Sequence, residues 1–430
     1  MASEGVLSIA EAMKKGSGIV KLRGWCYRER GSNKVRFIVL RDHTNIIQCV
    51  VSPQSKAWTP SQDVSIETSL TLSGTIREDK RAPTGYEVQV DELEIIGPSD
   101  TFPITKDQSP EFLLDMRHLW IRSRKLSSVM KVKNTVLQAF RTFYLQQGFY
   151  EMPPPILQPN QCEGGSTLFE VKYYKDKTYL SQSWQLYAEA AIFSLEKLFC
   201  ISPCFRAEKS KTSRHLSEFL MAEMEQAWIE LPQLLDSMEQ CLAFIVKEVV
   251  TKNSAELEML GQDVDKLRKI VPPFPRMKYA DVLKLLKEKE GMDIPFGKDL
   301  RTVEEDKLMN HFDKPVIVTH YPKEAMAFYK PKDPEDPRAA LCVDVIAPEG
   351  YGEICGGSQR DTSAESLLTA LKEEGEDPQN YDWYLDLRRY GSVPHAGYGL
   401  GVERVVAWLC KLDNIKDATP FPRTMLRWKP

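Results

Sequence analysis

The strongest constraint on this chain is a change in its hydrophobic period. From Ile19 to about residue 96, apolar residues fall in short alternating runs: "GIVKLRGWCY", "KVRFIVLRD", "IIQCVV", "IETSLTLSGTIRE" and "GYEVQVDELEII". Turn signals at "RGSN" and "DHTN" separate the first three. Side chains alternate across a strand, so each run reads as a strand with one apolar face. From Lys125 the spacing becomes three and four: Leu126, Val129, Met130, Val132, Val136, Leu137, Phe140 and Tyr144 share a helical face, and Gly148 follows at a C-cap position. One element cannot serve both periods, so the chain divides. Five short strands predict a small barrel of the OB type at 1–98. "GPSDTFPITKDQSPEF" contains three prolines and no helical period, and reads as a linker or hinge, placed at 99–116. A larger α+β domain then spans 117–430, with a weakly patterned insertion at about 252–315. A second helix is expected from Pro232, with Leu235, Met238, Leu242, Ile245 and Val249 on one face.

Composition excludes several classes. Apolar residues at 42% and charged residues at 27% are those of a folded globular protein. No apolar run approaches the ~20 residues of a membrane helix, and "MASEGVLSIAEAMKKGSG" lacks the apolar core of a secretory leader. Nine scattered cysteines without CxxC spacing fit free thiols in a reducing compartment, so a cytoplasmic location is expected, with no membrane contact. The net charge of −4 gives no global sign of nucleic acid, yet between Lys14 and Arg41 nine basic residues accompany a single acid, Glu29. That strip is either a solvated face or a phosphate-tracking one.

Three stretches carry candidate chemistry. In "FRAEKSKTSRHLSEF" (205–219), Arg206 and Glu208 stand two apart, on one face of an extended segment. The guanidinium can grip a phosphate while the carboxylate accepts from an amino group; Lys209, Lys211, Arg214 and His215 add cations for the far end of a polyphosphate. A surface salt bridge is the plainer reading of the pair. In "GYGLGVERVV", Gly399 and Gly401 lead into a helix carrying Arg404, which suits close approach of a nucleotide or merely tight packing. In "CVDVIAPEGYGEICGGSQR", Asp344 and Glu353 bracket a turn and suit a hard cation such as Mg²⁺, or form a solvated acidic loop.

Taken in order, "FYEMPPPIL" (149–157), FRxE with its basic loop, and GxGxxR resemble motifs 1, 2 and 3 of the class II aminoacyl-tRNA synthetases, and the barrel is like that of the aspartyl/asparaginyl/lysyl subgroup. The resemblance covers nearly the whole chain. It implies an antiparallel sheet flanked by helices in the catalytic domain, and a homodimer built through motif 1. Pro154 would sit at that interface, with the Leu126–Tyr144 stripe offering the surface. For ATP it implies Arg206 on the α-phosphate, Glu208 on the adenine amino group and Phe219 on the base, with Leu216 also among the ATP-binding residues. Arg214 and His215 would lie toward the β- and γ-phosphates, and Arg404 on the γ-phosphate. Asp344, Glu353 and Ser358 would hold Mg²⁺, Arg206, Glu208 and Arg404 being the catalytic group.

The amino-acid side carries the finer resemblance. Where aspartyl enzymes place a lysine that meets the substrate carboxylate, "SQSWQLYAEA" has Ala188 followed by Glu189, which favours a neutral amide. With "CEGGSTLF" this is similar to asparaginyl-tRNA synthetases of archaeal and eukaryotic cytosolic type. Glu163, Ser183, Gln185, Arg360 and Gly399 are then the expected amino-acid contacts, and L-asparagine, ATP and tRNA(Asn) the substrates. Trp184 departs from the small residue or proline of relatives and could pack behind the site or enter it. On the barrel, Phe37, Gln48 and Glu87 match anticodon contacts, with Arg28, Arg30, Lys34 and Arg36 as a positive surface. A synthetase paralogue passing the acyl group to a small amine, or an aspartyl enzyme, is the alternative reading.

Overall fold

Residues 5–162, 167–209 and 212–429 are described by a computed structural model, which divides into two units between Met116 and Arg117. In the first unit, β1 (Gly18–Ser32), β2 (Val35–Arg41), β3 (Ile46–Val51), β4 (Ser69–Glu78) and β5 (Tyr86–Gly97) close in the order β1-β2-β3-β5-β4. Closure removes the exposed edges that five short strands would otherwise present. The inward set of each alternating run fills the barrel: Leu22, Ile38, Leu40, Ile47, Leu72 and Val88 are buried. Helix α1 (Ile9–Lys15) adds Ile9 and Ala12 to that core. Ser8 and Glu11 form its capping box.

The segment expected as a linker contains a short helix, Pro110–Asp115. Ser109 accepts from the Phe112 N–H and Pro110 opens the first turn, so local capping suffices without a periodic face.

The second unit is built on helix α2 (Arg124–Gln146) and an eight-stranded sheet. Its strands are β6 (Tyr150–Glu151), β10 (Lys197–Phe205), β11 (Glu218–Ala227), β12 (Arg276–Lys278), β13 (Val316–Thr319), β14 (Cys342–Ala347), β15 (Gly352–Gln359) and β16 (His395–Gly401), in the order β12-β13-β14-β15-β16-β11-β10-β6. The six central strands are antiparallel, as expected; the edge strands β6 and β12 pair in parallel, so the sheet is mixed. A separate three-stranded sheet joins β7 (Leu157–Gln158), β8 (Glu170–Tyr173) and β9 (Asp176–Leu180). Helices α3 (Gln185–Leu195), α4 (Leu231–Lys252), α5 (Thr302–Met309), α6 (Asp382–Arg389) and α7 (Val402–Leu409) place the remaining site residues. The stretch 252–315 supplies β12 to the sheet edge, and its Val264, Leu267, Ile270 and Phe274 belong to the main core.

One expectation is corrected here. The Leu126–Tyr144 stripe does not offer a dimer surface: Leu126, Val129, Val132, Val136, Phe140 and Tyr144 are buried within this chain, at 0–1% exposure. The stripe packs with α4, and the Tyr144 hydroxyl lies 2.5 Å from that of Tyr398 on β16. A 3.6-period face states that something covers it, not whose chain does so. At the start of this unit, the Arg117 guanidinium is almost wholly buried. It donates to Asp417 Oδ1 at 3.0 Å and to the carbonyls of Lys416, Thr419 and Pro420 at 2.8–2.9 Å. Among the described residues no helix is long and apolar enough to cross a membrane.

Candidate active site

The β10–β11 hairpin sets the site. Its register ends with Phe205 opposite Glu218, so Arg206 leaves the strand where the connecting loop begins and its N–H donates to the Ser217 carbonyl at 3.0 Å. Across the hairpin, α7 buries Val402, Val405, Val406 and Leu409. Glu403 is fixed from two sides, accepting from Lys133 Nζ of α2 at 2.5 Å and from the Leu220 N–H at 2.9 Å. That anchoring leaves Arg404 facing the hairpin loop, with Nη1 donating to the Glu353 carbonyl at 2.8 Å and to its Oε2 at 3.0 Å.

One cleft of about 580 Å³ is lined by Arg206, Glu208, Arg214, His215, Leu216, Phe219, Glu353 and Arg404, all expected at the nucleotide, and also by Gly399 and Gly401. The Arg206 guanidinium lies 5.5 Å from the Phe219 ring centroid, and His215 Nε2 is 3.6 Å from Glu208 Oε2. Burial, with Arg404 and Arg206 nearby, outweighs Glu208 and holds His215 below the ordinary imidazole range. That shift favours the neutral, hydrogen-bonding imidazole over the cation. Lys209 is exposed, and Lys211 lies outside the described residues.

A second cleft of about 630 Å³ opens from the first, and Arg206, Met221, Glu353 and Gly399 line both. Its floor is a buried ionic network. Arg360, just beyond β15, donates from Nε and Nη2 to the two oxygens of Glu225 at 3.0 and 2.8 Å, and from Nη1 to Ser358 Oγ at 2.8 Å. Gly397 makes this possible, since a Cβ there would lie 1.9 Å from Glu225 Oε2. Behind the pair, Glu189 of α3 accepts from Gln185 Nε2 at 2.9 Å, Tyr384 Oη at 2.7 Å and Arg388 Nη2 at 2.5 Å, with His395 Nε2 at 3.1 Å. Burial alone would raise the Glu189 carboxyl, but Arg388 and His395 win and hold it well below the usual range. Glu225 moves the other way: burial outweighs Arg360 and raises it. Glu189, Glu225 and His395 could converge on a metal by spacing. The guanidinium groups of Arg360 and Arg388 already neutralise those carboxylates, so a cation has no place there.

Ser183 and Gln185 also line the second cleft. The Ser183 hydroxyl donates to Glu223 Oε1 at 2.5 Å, and the Gln185 amide is committed to Glu189. Trp184 also lines this cleft, but its side chain is only 1% exposed and packs among Ala188, Ile192, Leu198, Cys200 and Ala227, while its backbone N–H donates to Glu223 Oε2 at 3.0 Å. Glu163 lies outside the described residues. Glu223, Glu225, Tyr329, Lys330, Arg388 and His395 were not anticipated. One signal was available: "MAEMEQ" places two acids at alternate positions of a strand, hence on one face.

Asp344 and Glu353 lie on the paired strands β14 and β15, Asp344 registered with Gly356 and Glu353 with Ile346. A Cβ on Gly356 would lie 3.1 Å from Asp344 Oδ1 and 3.0 Å from Glu353 Oε1, so the two oxygens border one small space that glycine keeps clear. Burial and the neighbouring Glu353 push Asp344 well above the ordinary carboxylate range. Two carboxylates crowded beside clefts lined by Arg206 fit a hard divalent cation, which would relieve that repulsion. Ser358, two residues beyond Gly356 on β15, accepts from Arg360 Nη1 through its hydroxyl.

On the barrel, Phe37 and Val39 share a face of β2 opposite Val50 and Gln48, and Gln48 is registered with Glu87 on β5. Phe37 is thus outside the barrel core, with the Arg30 guanidinium 4.9 Å from its ring centroid. Gln48 Nε2 donates to Glu87 Oε2 at 3.0 Å, and Arg77 holds the other Glu87 oxygen at 2.7 Å. Arg28 lies on β1 beside Tyr27, 5.4 Å from its ring centroid.

Residues 109–425 match the family of class II tRNA synthetases (D, K and N), and residues 20–96 match the OB-fold nucleic acid binding domain. The two together define a class II synthetase of the D, K and N group carrying an OB-fold domain. An asparagine–tRNA ligase of Thermococcus gammatolerans is 51% identical over 413 residues, 96% of either chain, and one of Lactobacillus johnsonii is 42% identical over 99% of either. The crystal structure of asparaginyl-tRNA synthetase from Pyrococcus horikoshii complexed with asparaginyl-adenylate superposes with a TM-score of 0.95 at 45% identity, covering all of both chains. This chain belongs to the asparagine–tRNA ligase family.

Proposed function

We propose that this chain joins L-asparagine to ATP as asparaginyl-adenylate and transfers the acyl group to tRNA(Asn). The observation that carries the reading is the position of Arg206, on the shared wall of a nucleotide-sized cleft and a cleft floored by the Arg360–Glu225 pair. An amino-acid carboxylate in the second cleft can attack the α-phosphorus of ATP in the first. Oxygen–phosphorus bond formation then displaces pyrophosphate, and Arg206 steadies the charge on the α-phosphoryl oxygens. Arg404 and Arg214 border the outer end of the cleft, where the terminal phosphates would lie, and Phe219 offers a face to the base. Asp344 and Glu353 would hold Mg²⁺, which supplies further neutralisation of the polyphosphate when bound.

The second cleft favours an amide. Arg360 is already matched by Glu225, so an amide can accept from the guanidinium and donate to the carboxylate, whereas an aspartate side chain would add an unbalanced negative charge. Ala188 supplies no cation to offset it. Half-buried Phe37 beside Arg30, with the buried Gln48–Glu87 pair next to it, supports reading of unpaired anticodon bases. Tyr150 on the edge strand β6, with Leu145 and Leu157, is exposed, which supports a homodimer through the surface around motif 1 rather than through the stripe of α2. Nine buried cysteines outside any disulfide support a cytoplasmic setting.

Amino-acid-dependent ATP–pyrophosphate exchange, followed by charging of unfractionated tRNA, tests the reading. Exchange and charging with asparagine alone are expected, from a species that sediments as two chains. Phe37→Ala should keep exchange and lose charging. Exchange with aspartate, or exchange without tRNA charging, would replace the proposal with an aspartyl enzyme or a repurposed paralogue.

A further inference from the structure

Arg214 borders the ATP cleft, yet its guanidinium is already engaged. Nη1 donates to Glu305 Oε2 at 3.2 Å and to Thr302 Oγ1 at 3.4 Å; Nη2 donates to Asp306 Oδ1 at 3.0 Å and to the Gly350 carbonyl. Three of these four partners lie on α5, about ninety residues further along the chain. All four Nη protons are therefore accounted for, leaving only Nε for another acceptor. The chain accommodates the contact closely. Gly352, at φ +69°, opens β15, and a Cβ there would lie 2.6 Å from both Arg214 Nη1 and Glu305 Oε2. Glu305 also reaches the site by its other oxygen, which accepts from the Glu353 N–H at 3.3 Å.

A guanidinium cannot serve two acidic side chains and a triphosphate with the same protons. We infer that Glu305 and Asp306 are positioning residues that compete with phosphate for Arg214: ATP takes the guanidinium from α5, and α5 takes it back as pyrophosphate leaves. This rests on the proposed adenylate chemistry and on Arg214 serving the terminal phosphates. The strength of the contact suits an exchangeable one. Arg214 and Asp306 keep 23% and 46% of their side-chain surface in water, and partly exposed ion pairs are weak enough to be outbid by a polyphosphate. Glu305, at 12%, is the firmer holder.

Asp306→Asn is the first variant, because among the described residues the Asp306 side chain hydrogen-bonds to Arg214 alone. In asparagine-dependent exchange, its KM for ATP should fall about two- to fivefold, with the KM for pyrophosphate falling in step and kcat unchanged. Glu305→Gln should act in the same direction, and Asp306→Glu should restore wild-type values. In an Arg214→Ala background, Asp306→Asn should change neither constant. An unchanged or raised KM in Asp306→Asn would overturn the inference. An equal shift in the Arg214→Ala background would also overturn it, by reducing the effect to bulk charge. Wild-type protein without asparagine-dependent exchange would instead refute the functional reading beneath it.

Discussion

The two clefts that meet at Arg206 hold their charges in opposite ways. On the nucleotide side Arg206, Arg214, Glu208, His215 and Arg404 are partly open to water, and several come from the loop between β10 and β11. On the amino-acid side Arg360, Glu225, Glu189, Arg388 and His395 are buried, bonded to one another and anchored on regular elements or immediately beside them. Loosely held charges can close around a substrate and let its product go. A rigid, prepaid network can discriminate one side chain from another, because any mismatch leaves a buried group unmatched. On the proposed reading, burial thus separates the chemistry of ATP from the choice of amino acid.

Substitutions on either side should therefore fail differently. Arg360→Leu strands Glu225 and leaves Glu189 with less compensation, and should cost about 3–5 kcal/mol of stability as well as asparagine activation; urea denaturation beside exchange assays would read both. Arg206→Ala should lower adenylate formation by about 10²–10³-fold while the denaturation midpoint stays at its wild-type value. Tyr384→Phe removes the hydroxyl that donates to Glu189 at 2.7 Å. It should cost about 1–3 kcal/mol of stability and raise the KM for asparagine without altering that for ATP. A stable Arg360→Leu protein, or an unfolded Arg206→Ala protein, would break the contrast.

The same contrast explains what was legible in the sequence. Arg206, Glu208, Arg214, His215, Leu216 and Phe219 occupy one short strand–loop–strand passage, so their meeting in one cleft follows from local geometry. Glu189, Glu225, Arg360, Arg388 and His395 come from α3, β11, the end of β15, α6 and β16, and each alone is an ordinary charged residue. Only the tertiary fold joins them. The α2 stripe failed as a dimer surface for a related reason: periodicity fixes a face but not its occupant. For Trp184, the sequence marked an unusual residue, and the strand and helix behind the site decided where its bulk went. The barrel was readable because alternation of period two determines inside and outside directly.

The burial of Arg117 has a consequence for how the protein is made. Its four acceptors lie between residues 416 and 420, about three hundred positions later. On the ribosome, the guanidinium at the threshold of the larger unit must wait in water until nearly all of that unit has emerged, since enclosing it earlier would bury an uncompensated charge. The barrel's five strands and the apolar core they enclose all lie before residue 117, so its own closure has no such dependence. Vectorial synthesis therefore lets one unit mature early and holds the other open until its last turn arrives.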